Sequence, residues 1–194
     1  FFDAYKFHVG EEDEDANEQK TIISASVLGL IFEKINGYKD GAYFTPNFIT
    51  QYMCKSILQQ LVVDKLNDAF GFTCDNYEAL KEEINYKDRV CRQQANDAIN
   101  SIKICDPAVG SGHFLVSALN EIIEIKRDLR ILQDCTEEHR RIEDYAIRVD
   151  NDELVVTDGY GMLFAYDPKK EENKILQRSL FEEKRTIIEN CLYG

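Results

Sequence analysis

Apolar residues recur every three or four positions along most of the chain, and this spacing places them on one face of a helix. The pattern predicts helices over residues 21–36, 46–61, 75–100 (as one or two polar helices), 113–132, 137–149 and 171–192. Thr45 followed by Pro46 is typical of an N-cap and a first helical position. Residues predicted to lie on the apolar faces are Ile49, Met53, Ile57, Leu61, Leu115, Ala118, Leu119, Ile122, Ile125, Leu129, Leu132, Leu176, Leu180, Ile187, Ile188 and Cys191.

Three stretches indicate strands instead. Residues 102–105 form a short apolar run, and residues 152–157 and 162–166 flank the sequence Asp158-Gly159-Tyr160-Gly161, a strong turn signal. The pattern therefore predicts a β-hairpin over about residues 153–166. The chain stops at Gly194 where a further strand would begin.

Together these elements predict a helix-rich α/β protein. We divide the chain into an acidic lead-in over residues 1–20, a helical lobe over 21–101 and the first part of an α/β domain over 102–194, with the hairpin as an insertion. Since the sequence begins at Phe1 and not at a methionine, we expect both ends to be cuts in a longer protein.

Composition restricts the class of protein. With 44% hydrophobic and 30% charged residues the chain is globular, and no apolar run reaches the length of a membrane span. The net charge is −13, so a polyanion would have to be gripped mainly by other segments. The basic groups at residues 126–130 and 140–141 are interpreted as solvated helix faces.

The six cysteines form no Cys-x-x-Cys pair and have no histidine at metal-ligand spacing, which argues against zinc. Most fall at apolar positions and are expected in the core. Scattered cysteines without a secretory signal indicate a cytoplasmic protein.

The candidate chemistry lies directly after the first predicted strand. Asp106 comes at the strand end, Pro107 stops the ladder, and Gly110 and Gly112 permit a tight turn before the next helix. This order places a ligand at the carboxyl end of a strand. A dinucleotide-binding fingerprint would need a glycine in place of Leu115, and a phosphate-binding loop would need a lysine after Gly112. Since both residues are missing, the sequence gives only weak support to either phosphate-binding motif. Asp106 suits a positively charged ligand such as S-adenosylmethionine.

A specific resemblance supports this ligand. The sequence Asp106-Pro107-Ala108-Val109-Gly110-Ser111-Gly112-His113-Phe114 resembles the first motif of the adenine-N6 DNA methyltransferases, especially those in combined, type IIG-like restriction–modification enzymes. Some sixty residues upstream, Gly41-Ala42-Tyr43-Phe44-Thr45-Pro46 resembles the segment that covers the methionine end of the cofactor in that family. The resemblance implies a partial Rossmann-like S-adenosylmethionine-dependent methyltransferase fold.

The resemblance also implies roles for individual residues. Asp106 would accept a hydrogen bond from the methionine ammonium, Ser111 would cap the helix, and the first-turn amides of His113 and Phe114 would favour the methionine carboxylate. The other implied cofactor contacts are Pro107, Ala108, Gly110 and Gly112, which line the pocket, and Phe44 and Thr45, which cover it. His113 is interpreted as a first-turn residue and not as a general base.

The same family uses an Asn-Pro-Pro-Tyr/Phe motif for methyl transfer to adenine. In similar family members, a Leu-Tyr-Gly sequence like that of residues 192–194 leads into an acidic residue that binds the cofactor ribose. The chain has three prolines, Pro46, Pro107 and Pro168, and none lies in such a motif. No residue is therefore assigned a catalytic role. DNA would be the substrate, and target-recognition and nuclease segments would lie elsewhere on the polypeptide.

Two other interpretations stay open. The chain could be a non-catalytic interaction or cofactor-sensing module with a methyltransferase-like fold, or part of an RNA or protein methyltransferase. An Asn-Pro-Pro-Tyr motif downstream would favour the enzyme, and its absence would favour the module. The oligomeric state and the DNA recognition sequence are not determined by these residues.

Overall fold

The computed structural model describes Ile31 and residues 45–194 except 111, 151, 152, 165, 166 and 168. The chain divides into two compact units, Phe1–Thr45 and Pro46–Gly194, and the architecture below is that of Pro46–Gly194. The predicted lead-in over residues 1–20, the loop with Phe44, and Ser111 lie outside the described residues. Of the helix predicted over residues 21–36, Ile31 alone is described, and it is helical.

Helices dominate the second unit, with two small sheets. The elements in chain order are α1 (Asn47–Phe70), α2 (Tyr77–Glu83), α3 (Arg89–Asn100), β1 (Ile104–Cys105), α4 (His113–Asp128), β2 (Tyr145–Asp150), β3 (Glu153–Asp158), α5 (Glu171–Cys191) and β4 (Leu192–Tyr193). The helix-rich α/β content agrees with the sequence prediction. In the described part of the chain, none of the helices has both the length and the apolar character needed to cross a membrane.

Helix α1 begins one residue later than predicted and buries a different face. Pro46 is the N-cap, and its carbonyl accepts from the N–H groups of Ile49 and Thr50. The predicted inward residues Ile49, Met53 and Ile57 are 36%, 42% and 62% exposed. A row spaced by four residues rotates by about 40° per step around a helix, so it leaves any fixed face within three steps. The buried positions are Thr50, Leu58, Val62, Val63 and Leu66.

Helix α4 is the centre of the core, and it packs against α1. Its predicted inner face is confirmed: Ala118, Leu119, Ile122 and Ile125 are all buried, while Leu115 is half-buried. Leu129 and Leu132 are also buried but follow the end of the helix. The core continues through α2 and α3 (Tyr77, Leu80, Ile84, Ala95 and Ile99) and α5 (Leu176, Ile187 and Cys191). It is therefore continuous across residue 101, and the domain boundary that we placed there stays a prediction.

Two further positions predicted on apolar helix faces are wrong: Ile188 is exposed, and so is Val90, which the sequence pattern placed on the sparse apolar face of residues 75–100. The cysteine prediction holds only in part, because Cys191 is buried, Cys105 is exposed, and the other four are half-buried. The prediction of solvated basic helix faces is also wrong. Lys126 is fully buried, where it pairs with Glu183, and Arg140 and Arg141 do not lie in a helix.

The first predicted strand is confirmed, although it is shorter than predicted. Strand β1 pairs in parallel with β4, with Ile104 opposite Leu192 and Cys105 opposite Tyr193. The expectation that a strand begins at the end of the chain is confirmed by this pairing. Because α4 and α5 lie between the two strands in sequence, the connection is a helical crossover.

The β-hairpin has a different partner strand from the one predicted. Strand β3 pairs antiparallel with β2, from Tyr145 opposite Asp158 to Asp150 opposite Glu153. The helix predicted over residues 137–149 is therefore wrong. Ile147 and Val149 alternate as buried residues with exposed neighbours, which is the period of a half-buried strand. The turn over residues 158–161 does reverse the chain, but beyond it the pairing on β3 is an isolated bridge of Leu163 with Thr157.

Candidate functional site

The candidate site is the loop between β1 and α4, and its first residue extends the strand. The N–H of Asp106 donates to the carbonyl of Tyr193 at 2.8 Å, so Asp106 continues the parallel ladder. Its carboxylate Oδ1 accepts from the N–H of Ala108 at 3.0 Å. This local bond orients the half-buried acid at the carboxyl end of the strand.

Two glycines then form the turn in the conformation that the sequence predicted. Gly110 has φ 51° and Gly112 has φ 80°, a region that side chains with a Cβ rarely adopt. The N–H of Gly112 donates to the carbonyl of Val109 at 2.7 Å, which closes the turn. Gly112, and not Ser111 as expected, is the N-cap of α4, and its carbonyl accepts from the N–H of Val116 at 2.9 Å. The backbone geometry of this turn therefore favours glycine at both positions.

The helix that follows presents its N-terminus to the loop. His113 is the first residue of α4, as predicted, and Phe114 is the second. Amide groups in the first turn of a helix have no partner inside the helix and carry the positive end of its dipole. They are suited to a carboxylate or another anion.

Helix α1 contacts this N-terminus through residues that the sequence analysis did not select. Thr50 Oγ1 lies 3.3 Å from His113 Nε2, and Thr50 is completely buried. One helical turn later, the Cys54 thiol is 3.8 Å from the carbonyl oxygen of Phe114. The sequence carried no clear signal for Thr50, because α1 is apolar on more than one side and the face predicted to be buried is exposed.

Strand β4 reaches the same loop from the other side. A Cβ added to Gly194 would lie 2.8 Å from Val109 Cγ2 and 3.0 Å from Leu115 Cδ1. The backbone of Gly194 therefore packs against the glycine turn and the first turn of α4. The carboxyl ends of two parallel strands meet there, which is where open α/β sheets place their ligands.

The hairpin is also fixed to α1 and to the C-terminal half of α4. Glu124 accepts from the N–H of Val149 through Oε2 at 2.9 Å and from Lys55 through Oε1 at 3.1 Å. Gln51 Nε2 donates to the Val149 carbonyl at 3.2 Å. Burial lowers the pKa of Lys55, but its hydrogen bond and charge attraction to Glu124 outweigh that and raise it.

The polar groups of this loop fit the ammonium and carboxylate groups of a zwitterionic amino-acid moiety. Asp106 provides an acceptor for an ammonium group, and the first turn of α4 provides amide donors for a carboxylate. The predicted contacts Asp106, Pro107, Ala108, Gly110, Gly112, His113 and Phe114 all lie in this loop and helix start. Ser111 and Phe44 are outside the described residues. Thr45 belongs to the other unit, and its role stays a prediction.

Comparison with known proteins gives one informative relative. In an alignment of 147 residues that covers 68% of this chain, the sequence is 31% identical to a protein of Methanocaldococcus jannaschii named "Putative type II restriction enzyme and methyltransferase". The chain spans 12% of the length of that protein. No protein-family profile matches the chain, and no solved structure matches it. The chain is thus related to a segment of a protein whose name combines the restriction and methyltransferase activities.

Proposed function

We propose that this chain is the S-adenosylmethionine-binding, N-terminal part of the methyltransferase domain in a cytoplasmic restriction–modification protein that methylates the N6 atom of adenine in DNA. The observation that carries the proposal is the order of strand, Asp106, glycine turn and helix N-terminus at the meeting point of two parallel strands. The motif at residues 106–114 and the relative's name support the same class of enzyme. The fold in this proposal is a partial Rossmann-like methyltransferase fold.

The residues of the loop would hold the methionine end of the cofactor. Asp106 accepts a hydrogen bond from the ammonium, while the amides of His113 and Phe114 donate to the carboxylate. Pro107, Ala108, Gly110, Ser111 and Gly112 would line the pocket, and Phe44 and Thr45 keep the covering role that the family resemblance implies. The bound cofactor supplies an electrophilic methyl group. The contribution of this chain is to bind and orient the cofactor, and no residue of it is assigned to the transfer step.

In this proposal the contacts to the target adenine, the ribose acid, and the segments that recognise or cut DNA belong to other parts of the polypeptide. The alternative, a non-catalytic interaction or cofactor-sensing module, would use the same loop. The two differ in one observable property, since an enzyme transfers methyl groups to DNA and a module does not. Radiolabelled methyl transfer by the intact protein distinguishes them.

The cofactor site is tested by Asp106→Ala in the intact protein. Loss of a hydrogen bond to a charged group costs on the order of 1.5–3 kcal/mol, so S-adenosylmethionine affinity in calorimetry should fall by roughly one to two decades. Asp68→Ala removes the same charge from an exposed position of α1 and serves as the control. A folded Asp106→Ala protein with unchanged affinity would remove Asp106 from the site.

A further inference from the structure

A basic pocket lies at the opposite end of α4 from the glycine turn. Its lining residues in the described part of the chain are Tyr86, Lys87, Arg127, Arg130, Arg141, Ile142 and Glu143. Helix α4 has 16 residues, so its two ends are about 24 Å apart at 1.5 Å per residue. The pocket is therefore distinct from the candidate cofactor site. We call this group of residues the arginine pocket.

Tyr86 holds two guanidinium groups close together in the arginine pocket. Arg130 Cζ lies 4.8 Å and Arg141 Cζ 5.0 Å from the centre of the Tyr86 ring, which is the range of cation–π contacts. Arg130 Nη1 also donates to the Tyr86 hydroxyl at 2.9 Å. Two flexible cationic side chains are thus ordered on one aromatic ring before any ligand arrives.

The backbone beneath these side chains is fixed by two further arginines. Buried Arg92 donates through Nη1 to the carbonyls of Tyr86 and Lys87, both at 3.0 Å. Arg127 donates through Nε to the carbonyl of Tyr145 at 2.7 Å. The segment that carries Tyr86 is therefore held to α3 and the hairpin to the end of α4, so the pocket is preorganised.

Arg130 occupies a backbone position that favours glycine. The N–H of Ile131 donates to the carbonyl of Lys126, and that of Arg130 to the carbonyl of Arg127, each at 3.0 Å, which is the Schellman pattern at a helix C-terminus. Arg130 has φ 59° in this motif. A residue with a Cβ costs roughly 1–2 kcal/mol there, so an arginine at this point indicates a role for its side chain.

The dipole of α4 does not account for all the cationic side chains of the arginine pocket. Cations near a helix C-terminus interact favourably with its dipole, which explains Lys126 and Arg127. Lys87 and Arg141 come from segments outside α4, before α3 and before β2. Three separate segments thus bring positive charge to one pocket.

Nearby acids neutralise only part of this charge. Glu143 pairs with Arg141, and Asp128 lies 3.4 Å from Lys81. Burial lowers the pKa of Arg127, and the charge of Arg130 lowers it further, against the opposite effect of Asp128 and Glu143. Of the pocket residues that the structure describes, four are cationic and one is anionic. The surplus is positive in a chain with a net charge of −13.

We infer that the arginine pocket binds a phosphate group. Arg130 and Arg141 donate N–H groups to its oxygens, because a guanidinium presents several donors in one plane and matches phosphate geometry. Lys87 and Arg127 add positive charge to the lining of the pocket. The phosphate belongs either to a nucleic-acid backbone or to a free phosphate or nucleotide. This inference does not depend on methyl transfer or on the cofactor.

The test uses the intact protein with Arg130→Gly, Arg141→Gln, the double variant and the control Arg185→Gln, which removes an exposed, ion-paired arginine from α5. One arm measures the thermal midpoint in sodium phosphate against sodium chloride at equal ionic strength. The other measures anisotropy of a labelled DNA duplex over a series of salt concentrations. Glycine suits the conformation at residue 130, so Arg130→Gly should fold normally and can carry the test alone.

Phosphate should raise the thermal midpoint of the wild type and of Arg185→Gln, and this increase should disappear in the double variant. If the source is a nucleic-acid backbone, each lost contact should reduce the slope of log K against log salt by about 0.9. Loss of the phosphate effect with an unchanged DNA slope assigns the pocket to free phosphate or a nucleotide. Variants that retain both the phosphate effect and the DNA slope would overturn the inference.

Discussion

Lys126 and Glu183 form an ion pair between α4 and α5, and the lysine side chain has no exposed surface. Lys126 Nζ also donates to Asn100 Oδ1 at 2.7 Å. The pair connects the helix that follows the glycine turn to the helix that leads into β4. It therefore helps to set the position of the two strand ends that border the candidate cofactor site.

Substitution of Lys126 by methionine should destabilise the protein. Removing one partner of a buried pair leaves the other charge poorly compensated and typically costs about 3–5 kcal/mol. Glu183 keeps 16% of its side-chain surface exposed, so the lower end is expected here. Denaturant unfolding measures the change. Lys174→Met removes a lysine from an exposed pair with Glu171 and should change stability little, and an equal loss in both variants would show that burial of Lys126 has no special effect.

Alanine at Gly112 should disturb the start of α4. Its φ of 80° costs a residue with a Cβ roughly 1–2 kcal/mol, and relief of this strain would move the first-turn amides. We expect a lower thermal midpoint and weaker S-adenosylmethionine binding. Gly159→Ala is the matched control, because Gly159 is not in the strained region and an added Cβ has nothing within 4 Å. Similar losses in both variants would contradict the role of the turn.

Alanine at Gly194 should act through steric contact instead of backbone strain. The new methyl group would lie 2.8 Å from Val109 Cγ2, and the branched valine has little freedom to move away. Overpacking of this kind typically costs about 1–3 kcal/mol. In the intact protein, chemical shifts of Val109 and Leu115 methyl groups should change together with stability. Unchanged shifts would mean that β4 does not contact the loop.

Residues 1–194 alone should show no detectable methyl transfer to duplex DNA. The proposed cofactor contacts are those of the methionine end, and no catalytic motif is recognised in the sequence. The net charge of −13 also repels the polyanion. Radiolabelled transfer at low salt, with the intact protein as the positive control, measures this. Methylated adenine produced by residues 1–194 would place the catalytic residues within them.

The sequence by itself determined the local geometry of the candidate site. Asp106 at a strand end, glycines at residues 110 and 112, and a helix starting at His113 could be predicted because each depends on the conformational preferences of a few consecutive residues. A strand was also expected at the end of the chain, in line with the family resemblance of Leu192-Tyr193-Gly194. The tertiary structure then paired that strand with β1.

Only the tertiary structure decided which faces and partners were used. Helix α1 is apolar on more than one side, so its own sequence did not reveal that Thr50 is buried and Ile57 exposed. In residues 145–150 the buried Ile147 and Val149 alternate with exposed neighbours, which is a strand period that the predicted helix overlooked, and β3 supplies their backbone partners. Lys126 is buried because Glu183, 57 positions away, compensates its charge. For Thr50 and Lys126 the deciding contacts join residues distant in sequence, and local periodicity carries no information about such contacts.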